Sequence, residues 1–184
     1  MKNVILGVTG SIAAYKAADI TSQLVKKGYN INVVMTKGGT KFIAPLTFQT
    51  LSKNKVYIDI FQEKEPDEVK HIGLSQQANI FLIAPATANV IGKIASGIAD
   101  DMLTSLALSV TGIPKIIAPA MNTRMYENSI LQENIQKLKK HGYQFIEPRE
   151  SMLACGDIGK GALANVSDII DVVLSAGDKN GTSN

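Results

Sequence analysis

Residues 3–28 read NVILGVTGSIAAYKAADITSQLVKKG. The first six, Asn3–Val8, form an apolar run of strand type, which Thr9-Gly10-Ser11 ends. From Ile12 to about Lys27 the spacing is helical and rich in alanine, and Gly28 supplies a helix stop. The chain then repeats this succession of strand, turn and helix. Ile31–Thr36, Asn79–Ala84, Lys115–Ala118 and Tyr143–Ile146 read as strands, and the second of these is apolar almost throughout, as a strand covered on both faces should be. Helices are expected over Pro45–Leu51, Thr87–Ser96, Asp101–Val110, Leu131–Lys140 and Ser167–Leu174. The expected fold class is α/β: a Rossmann-like, open, mostly parallel sheet with helices on both faces. Phe61–Val69, which is charged, and Leu153–Ala164, which is rich in glycine, fit no element. The 184 residues suit one domain over residues 1–176, with a small, polar, disordered tail over 177–184.

Composition narrows the function. The formal net charge is +3 with no basic stripe among aromatic residues, which argues against nucleic acid. The apolar N-terminal run is too short for a signal peptide or a membrane span, so a cytoplasmic protein is expected. One cysteine, Cys155, and two distant histidines, His71 and His141, offer no metal-ligand spacing.

In such sheets ligands bind beyond the carboxyl ends of the strands. After the first strand, Gly10 permits a tight turn, Ser11 suits a helix cap, and the amides of the first helical turn suit a phosphate. Ala13 and Ala14 stand where the dinucleotide fingerprint has its third glycine, and a plain serine-capped turn fits the segment as well. Thr36-Lys-Gly-Gly-Thr-Lys-Phe42 follows the second strand with hydroxyls and lysines. Pro85-Ala-Thr-Ala-Asn89 follows the third, with small residues beside which a planar ring could lie. Pro119-Ala-Met-Asn-Thr-Arg-Met-Tyr126 brackets Asn122 with two methionines, and the asparagine amide suits a carboxylate or an amide.

Together these segments resemble the flavin-containing cysteine decarboxylase family. The stretches that carry the resemblance are GVTGSIAAYK, HIGL, APATANVIGKIASGIADDMLTS, APAMNTRMYEN and LACGDIGKGALA, in the family's order from residue 7 to 164. The resemblance implies an FMN cofactor held by Gly10, Ser11, Ile12, Thr36, Phe42, Ala84, Thr87, Ala88 and Asn89. It implies a homotrimer, or a trimer-based assembly such as a dodecamer, with the flavin at a subunit interface to which Ala95–Leu108 could contribute. The implied substrate is 4′-phospho-N-pantothenoylcysteine, oxidised at its thiol, decarboxylated to an enethiol and reduced to 4′-phosphopantetheine, a step of coenzyme A biosynthesis. Asn122, with Met121 and Met125, would hold the substrate. His71 would serve a proton or fix the substrate. Cys155, between Ala154 and Gly156 in a flap, would protonate the reduced intermediate. Two departures from the family pattern stand out: Asp100-Asp101, where many relatives have Asp-Asn, and Gly161-Ala-Leu-Ala164, which lacks an arginine common in fused relatives. Lys16, Lys37, Lys160 and Arg124 are then the candidate cations for the substrate phosphate. The chain is expected to stand free of the synthetase that makes its substrate. The alternatives are a lantibiotic-type peptidyl-cysteine decarboxylase, which lacks the cysteine stretch, and a non-enzymatic flavoprotein subunit that regulates a phosphatase.

Overall fold

The structure, a computed structural model, describes residues 1–61, 70–152 and 158–179. Five parallel strands form one sheet in the order β2-β1-β3-β4-β5: β1 Asn3–Val8, β2 Asn30–Met35, β3 Ile80–Ala86, β4 Lys115–Pro119 and β5 Tyr143–Phe145. The helices are α1 Ala14–Lys26, α2 Pro45–Ser52, α3 Lys70–Gln77, α4 Ala88–Ala95, α5 Met102–Ser109, α6 Thr123–Tyr126, α7 Ser129–Lys140 and α8 Val166–Lys179. Successive strand side chains point to opposite faces, so each strand feeds two cores. Val4, Leu6 and Val8 join Ala14, Ala17 and Ile20 of α1 and Ile169 and Val173 of α8. Ile5, Phe81 and Ile83 join Ile91 of α4, Leu103 and Leu106 of α5 and Ile135 of α7. The sheet is therefore covered on both faces, as the apolar run at residues 79–84 implied. Among the described residues no helix is long and apolar enough to cross a membrane.

Three differences from the sequence reading bear on function. His71 lies on α3, a short helix with only Leu74 and Ala78 nearby as buried anchors, too little pattern to read. Residues left unassigned after position 148 form an antiparallel hairpin of β6 Arg149–Met152 and β7 Ile158–Ala162. Its glycines carry no alternating apolar signal, and its stability comes from what it lies against. Finally, α8 continues to Lys179, so residues 177–179 of the expected tail are helical. Gly177 is buried there: Lys2 Nζ donates to its carbonyl at 2.6 Å, and a Cβ on it would lie 2.6 Å from the Tyr29 hydroxyl. Residues 180–184 lie outside the described residues.

Candidate functional site

The loops that leave β1, β2, β3 and β4 converge at the carboxyl ends of the strands, and the β6–β7 hairpin closes one side. They enclose a cavity of about 950 Å³. That is the upper end of the range of roughly 300–1,000 Å³ usual for small-molecule sites, enough for two ligands side by side.

Backbone packing fixes one end of the cavity. A Cβ on Gly10 would lie 3.0 Å from the carbonyl carbon of Gly38, and one on Gly39 would lie 2.6 Å from the Val8 oxygen. Glycine is required for the loops after β1 and β2 to approach this closely. Thr36 Oγ1 accepts from the Gly39 amide at 3.1 Å and folds that turn. Thr9 ties in the next loop: its buried hydroxyl donates to the Pro85 carbonyl at 2.7 Å and accepts from the Thr87 amide at 3.0 Å. Ser11 Oγ accepts from the Ala13 amide at 3.2 Å and does not cap α1, whose first turn carries neither a side-chain cap nor an acid. The N-terminal dipole of this 13-residue helix thus faces the cavity uncompensated, a fit for one phosphate. Ala88 and Ala120 keep the adjoining wall low enough for a flat ring, and Thr87 caps α4 by accepting from the Val90 amide at 3.4 Å.

The other side is built around Asn122. Its Oδ1 accepts from the Arg124 amide at 2.9 Å, so the side chain is held as the N-cap of α6. The hairpin lies directly on this segment. The Met121 amide donates to the Gly161 carbonyl at 2.9 Å, and a Cβ on Gly159 would lie 2.6 Å from Thr123 Oγ1. Glu147 pins the same region: its Oε2 accepts from the Tyr126 hydroxyl at 2.8 Å and meets Lys160 Nζ at 2.9 Å. The hydrogen bond from Lys160 holds the Glu147 carboxyl below its ordinary range, while burial pushes the Tyr126 phenol up.

Among the described residues, four cations line the cavity, Lys16, Lys37, Lys93 and Arg149, against two acids, Asp100 and Asp101. Asp100 is bound by Lys93 at 2.7 Å, which holds its carboxyl low. Asp101 forms a capping box with Thr104, its Oδ1 accepting from the Thr104 amide at 2.8 Å. The Asp-Asp departure thus preserves a helix cap, a role asparagine fills as well.

Gly10, Ser11, Ile12, Thr36, Thr87, Ala88 and Asn89 line the cavity together with Met121, Asn122 and Met125. The structure does not bring Phe42, Ala84 or His71 to that lining. Phe42 is half exposed beyond the 3₁₀ turn Gly39–Lys41, and Ala84 is buried in the core on the α1 side. His71 is partly buried at the start of α3, and its Nδ1 finds no hydrogen-bond partner among the described residues. Ala154, Cys155 and Gly156 lie outside the described residues. Much of Ala95–Leu108 is spent inside the chain, with Met102, Leu103 and Leu106 buried, while Ile98 and Leu108 remain exposed. Sequence reasoning missed Arg149 and Ser151, which reach the cavity only through the unread hairpin.

Comparison with known proteins follows the same lines. The family model described as Flavoprotein matches residues 1–176. A probable phosphopantothenoylcysteine decarboxylase of Streptococcus mutans serotype c is 53% identical over 173 residues, 94% of this chain and 97% of that protein. The coenzyme A biosynthesis bifunctional protein CoaBC of Bacillus subtilis is 50% identical over 92% of this chain, which spans only 41% of that protein. A solved structure of a PPC decarboxylase mutant complexed with pantothenoylaminoethenethiol superposes with a TM-score of 0.85 at 32% identity, covering 95% of this chain and 97% of that one.

Proposed function

The chain belongs to the Flavoprotein family, and on that premise we propose that it decarboxylates 4′-phospho-N-pantothenoylcysteine to 4′-phosphopantetheine with FMN as cofactor. The observation that carries this reading is one cavity that joins an uncapped helix N-terminus and a glycine-built turn to Asn122, in a chain 53% identical to its Streptococcus mutans relative over nearly the whole of both.

A mononucleotide fits better than a dinucleotide because Ala13 and Ala14 stand where the dinucleotide fingerprint has its third glycine. When bound, the flavin supplies two-electron oxidation of the substrate's cysteine side chain and return of those electrons once carbon dioxide has left. The protein's own residues orient, enclose and protonate. Asn122, locked by its cap, holds the carboxylate that departs. Met121 and Met125 pack against the reacting portion of the substrate. Cys155, on the segment that joins β6 to β7, gives its proton to the carbon skeleton in the return step.

His71 stands outside the lining of its own chain's cavity, so a proton-handling role there requires a second copy of the chain to bring it. Exposed apolar side chains at the cavity mouth, Ile12, Tyr15 and Met125, agree with such a neighbour. A homotrimer with interfacial sites is the assembly we propose. The substrate comes from a synthetase that joins cysteine to a phosphorylated pantothenate, and the reaction takes place in the cytoplasm.

The test is the visible spectrum of the purified protein, before and after addition of FMN, with analysis of the products from the phosphorylated substrate. The expected result is a yellow protein that releases carbon dioxide. A protein that stays colourless and inert after FMN is supplied would overturn it.

A further inference from the structure

Three cations of the cavity lining, Lys16, Lys37 and Arg149, form no ion pair among the described residues. Lys93 is taken by Asp100, and Lys160, a cation the sequence had offered for phosphate, is taken by Glu147. Arg124 is not among the lining residues. Lys37 belongs to the turn after β2, at the end of the cavity built by Gly10 and Gly38. Lys16 stands on α1 and Arg149 on β6, and both line the cavity; Leu163 and Ala164, just beyond the hairpin, pack into the same core as Ala13, Ala14 and Ala17. Arg149 is held in place: its Nε donates to the Leu163 carbonyl at 3.2 Å. Neither cation forms an ion pair among the described residues, and the acids of the lining are engaged elsewhere.

Two positive groups that share a partly desolvated cavity repel, and a bound anion relieves the repulsion. The Lys16 ammonium carries the mark of this arrangement: burial, and then the Arg149 charge, pull it below its ordinary range. A phosphate monoester, with close to two negative charges near neutral pH, suits a lysine and a guanidinium better than a carboxylate does.

We propose that Lys16, reaching from the first turn of α1, and Arg149 are the subsite for the phosphate at the far end of the substrate. This rests on the function proposed above, which brings two phosphate-bearing molecules into one cavity.

The test compares 4′-phosphopantetheine with pantetheine as ligands of the flavin-loaded protein by titration calorimetry, in the wild type, Lys16→Gln, Arg149→Gln and the double variant. Flavin affinity is read separately by fluorescence quenching, and folding by thermal melts. The wild type should prefer the phosphorylated ligand, and each substitution should cut that preference by about tenfold, the worth of one charge-assisted contact. Lys16→Arg should keep it. A double variant that retains the preference, or a loss of flavin affinity that matches the loss of preference, overturns the assignment; the second result gives the pair to the flavin's own phosphate. Failure of the underlying function looks different: the wild type would prefer the phosphorylated ligand yet leave the phosphorylated cysteine substrate intact.

Discussion

The main-chain amide of Met121 donates to the Gly161 carbonyl at 2.9 Å, while the Gly161 Cα is packed so closely on the Met121 carbonyl oxygen that a side chain there would overlap it. Two segments far apart in sequence, the loop before α6 and the strand β7, are thereby joined at the residue before Asn122. The hairpin is part of the site's wall because of this junction.

Gly161→Ala should therefore lift β7 from the loop. Overpacking of this kind costs about 1–3 kcal/mol. Thermal unfolding should show that loss, and turnover should fall more than flavin content, because the displaced wall adjoins Asn122 and not the glycine-built end.

Asn122→Asp should preserve the fold, since aspartate caps a helix as well as asparagine does. It replaces the amide's donor end with a negative charge that repels a carboxylate substrate. The melting temperature and flavin content should stay near wild type while decarboxylation is lost. An unaltered turnover rate would remove Asn122 from the proposed role.

Cys155→Ser should still release carbon dioxide and then stall, because a hydroxyl is a far weaker acid than a thiol. Mass spectrometry should find the unsaturated thiol in place of phosphopantetheine. A normal yield of the reduced product would show that the proton comes from elsewhere.

If His71 serves a neighbour's cavity, His71→Gln and Asn122→Asp chains, each inactive alone, should complement when unfolded and refolded together. Random mixing in a closed ring gives about a quarter of the sites both native residues. No activity above that of the separate variants would place His71 outside the reaction.

Glu147 sets a pH dependence. Its folded-state carboxyl is held below the ordinary value of 4.5, chiefly by the hydrogen bond from Lys160. The stability it contributes is present above that ordinary value and is lost as pH falls through the lower folded one. Its side chain is 50% exposed, so screening limits the effect to about 1 kcal/mol or less. Glu147→Gln should lower stability slightly at neutral pH and flatten the stability profile in the acid limb, which melts taken across that range will show.

The fold was legible because its strands are apolar on both faces and its helices begin and end on strong signals. Pro45 opens α2, and Gly28 and Gly142, both at positive φ, follow α1 and α7. The loops after β1, β3 and β4 could be read as a site because strand ends in such sheets face one crevice. What escaped was held by tertiary contact. β6 and β7 contain too few apolar residues to announce themselves, and they are ordered by Met121, Thr123 and Glu147. Arg149 went unread with them. Ser11 looked like a helix cap, but α1 starts two residues later than that role requires, which leaves its N-terminus open. Phe42 and Ala84, drawn into the site by resemblance, lie respectively beyond a turn and inside a core in the isolated chain.

The most direct measurement is mass spectrometry of the products formed when the flavin-loaded protein meets 4′-phospho-N-pantothenoylcysteine without any other enzyme. The account predicts carbon dioxide and 4′-phosphopantetheine. Recovery of the intact substrate from a protein that has bound its flavin would contradict it.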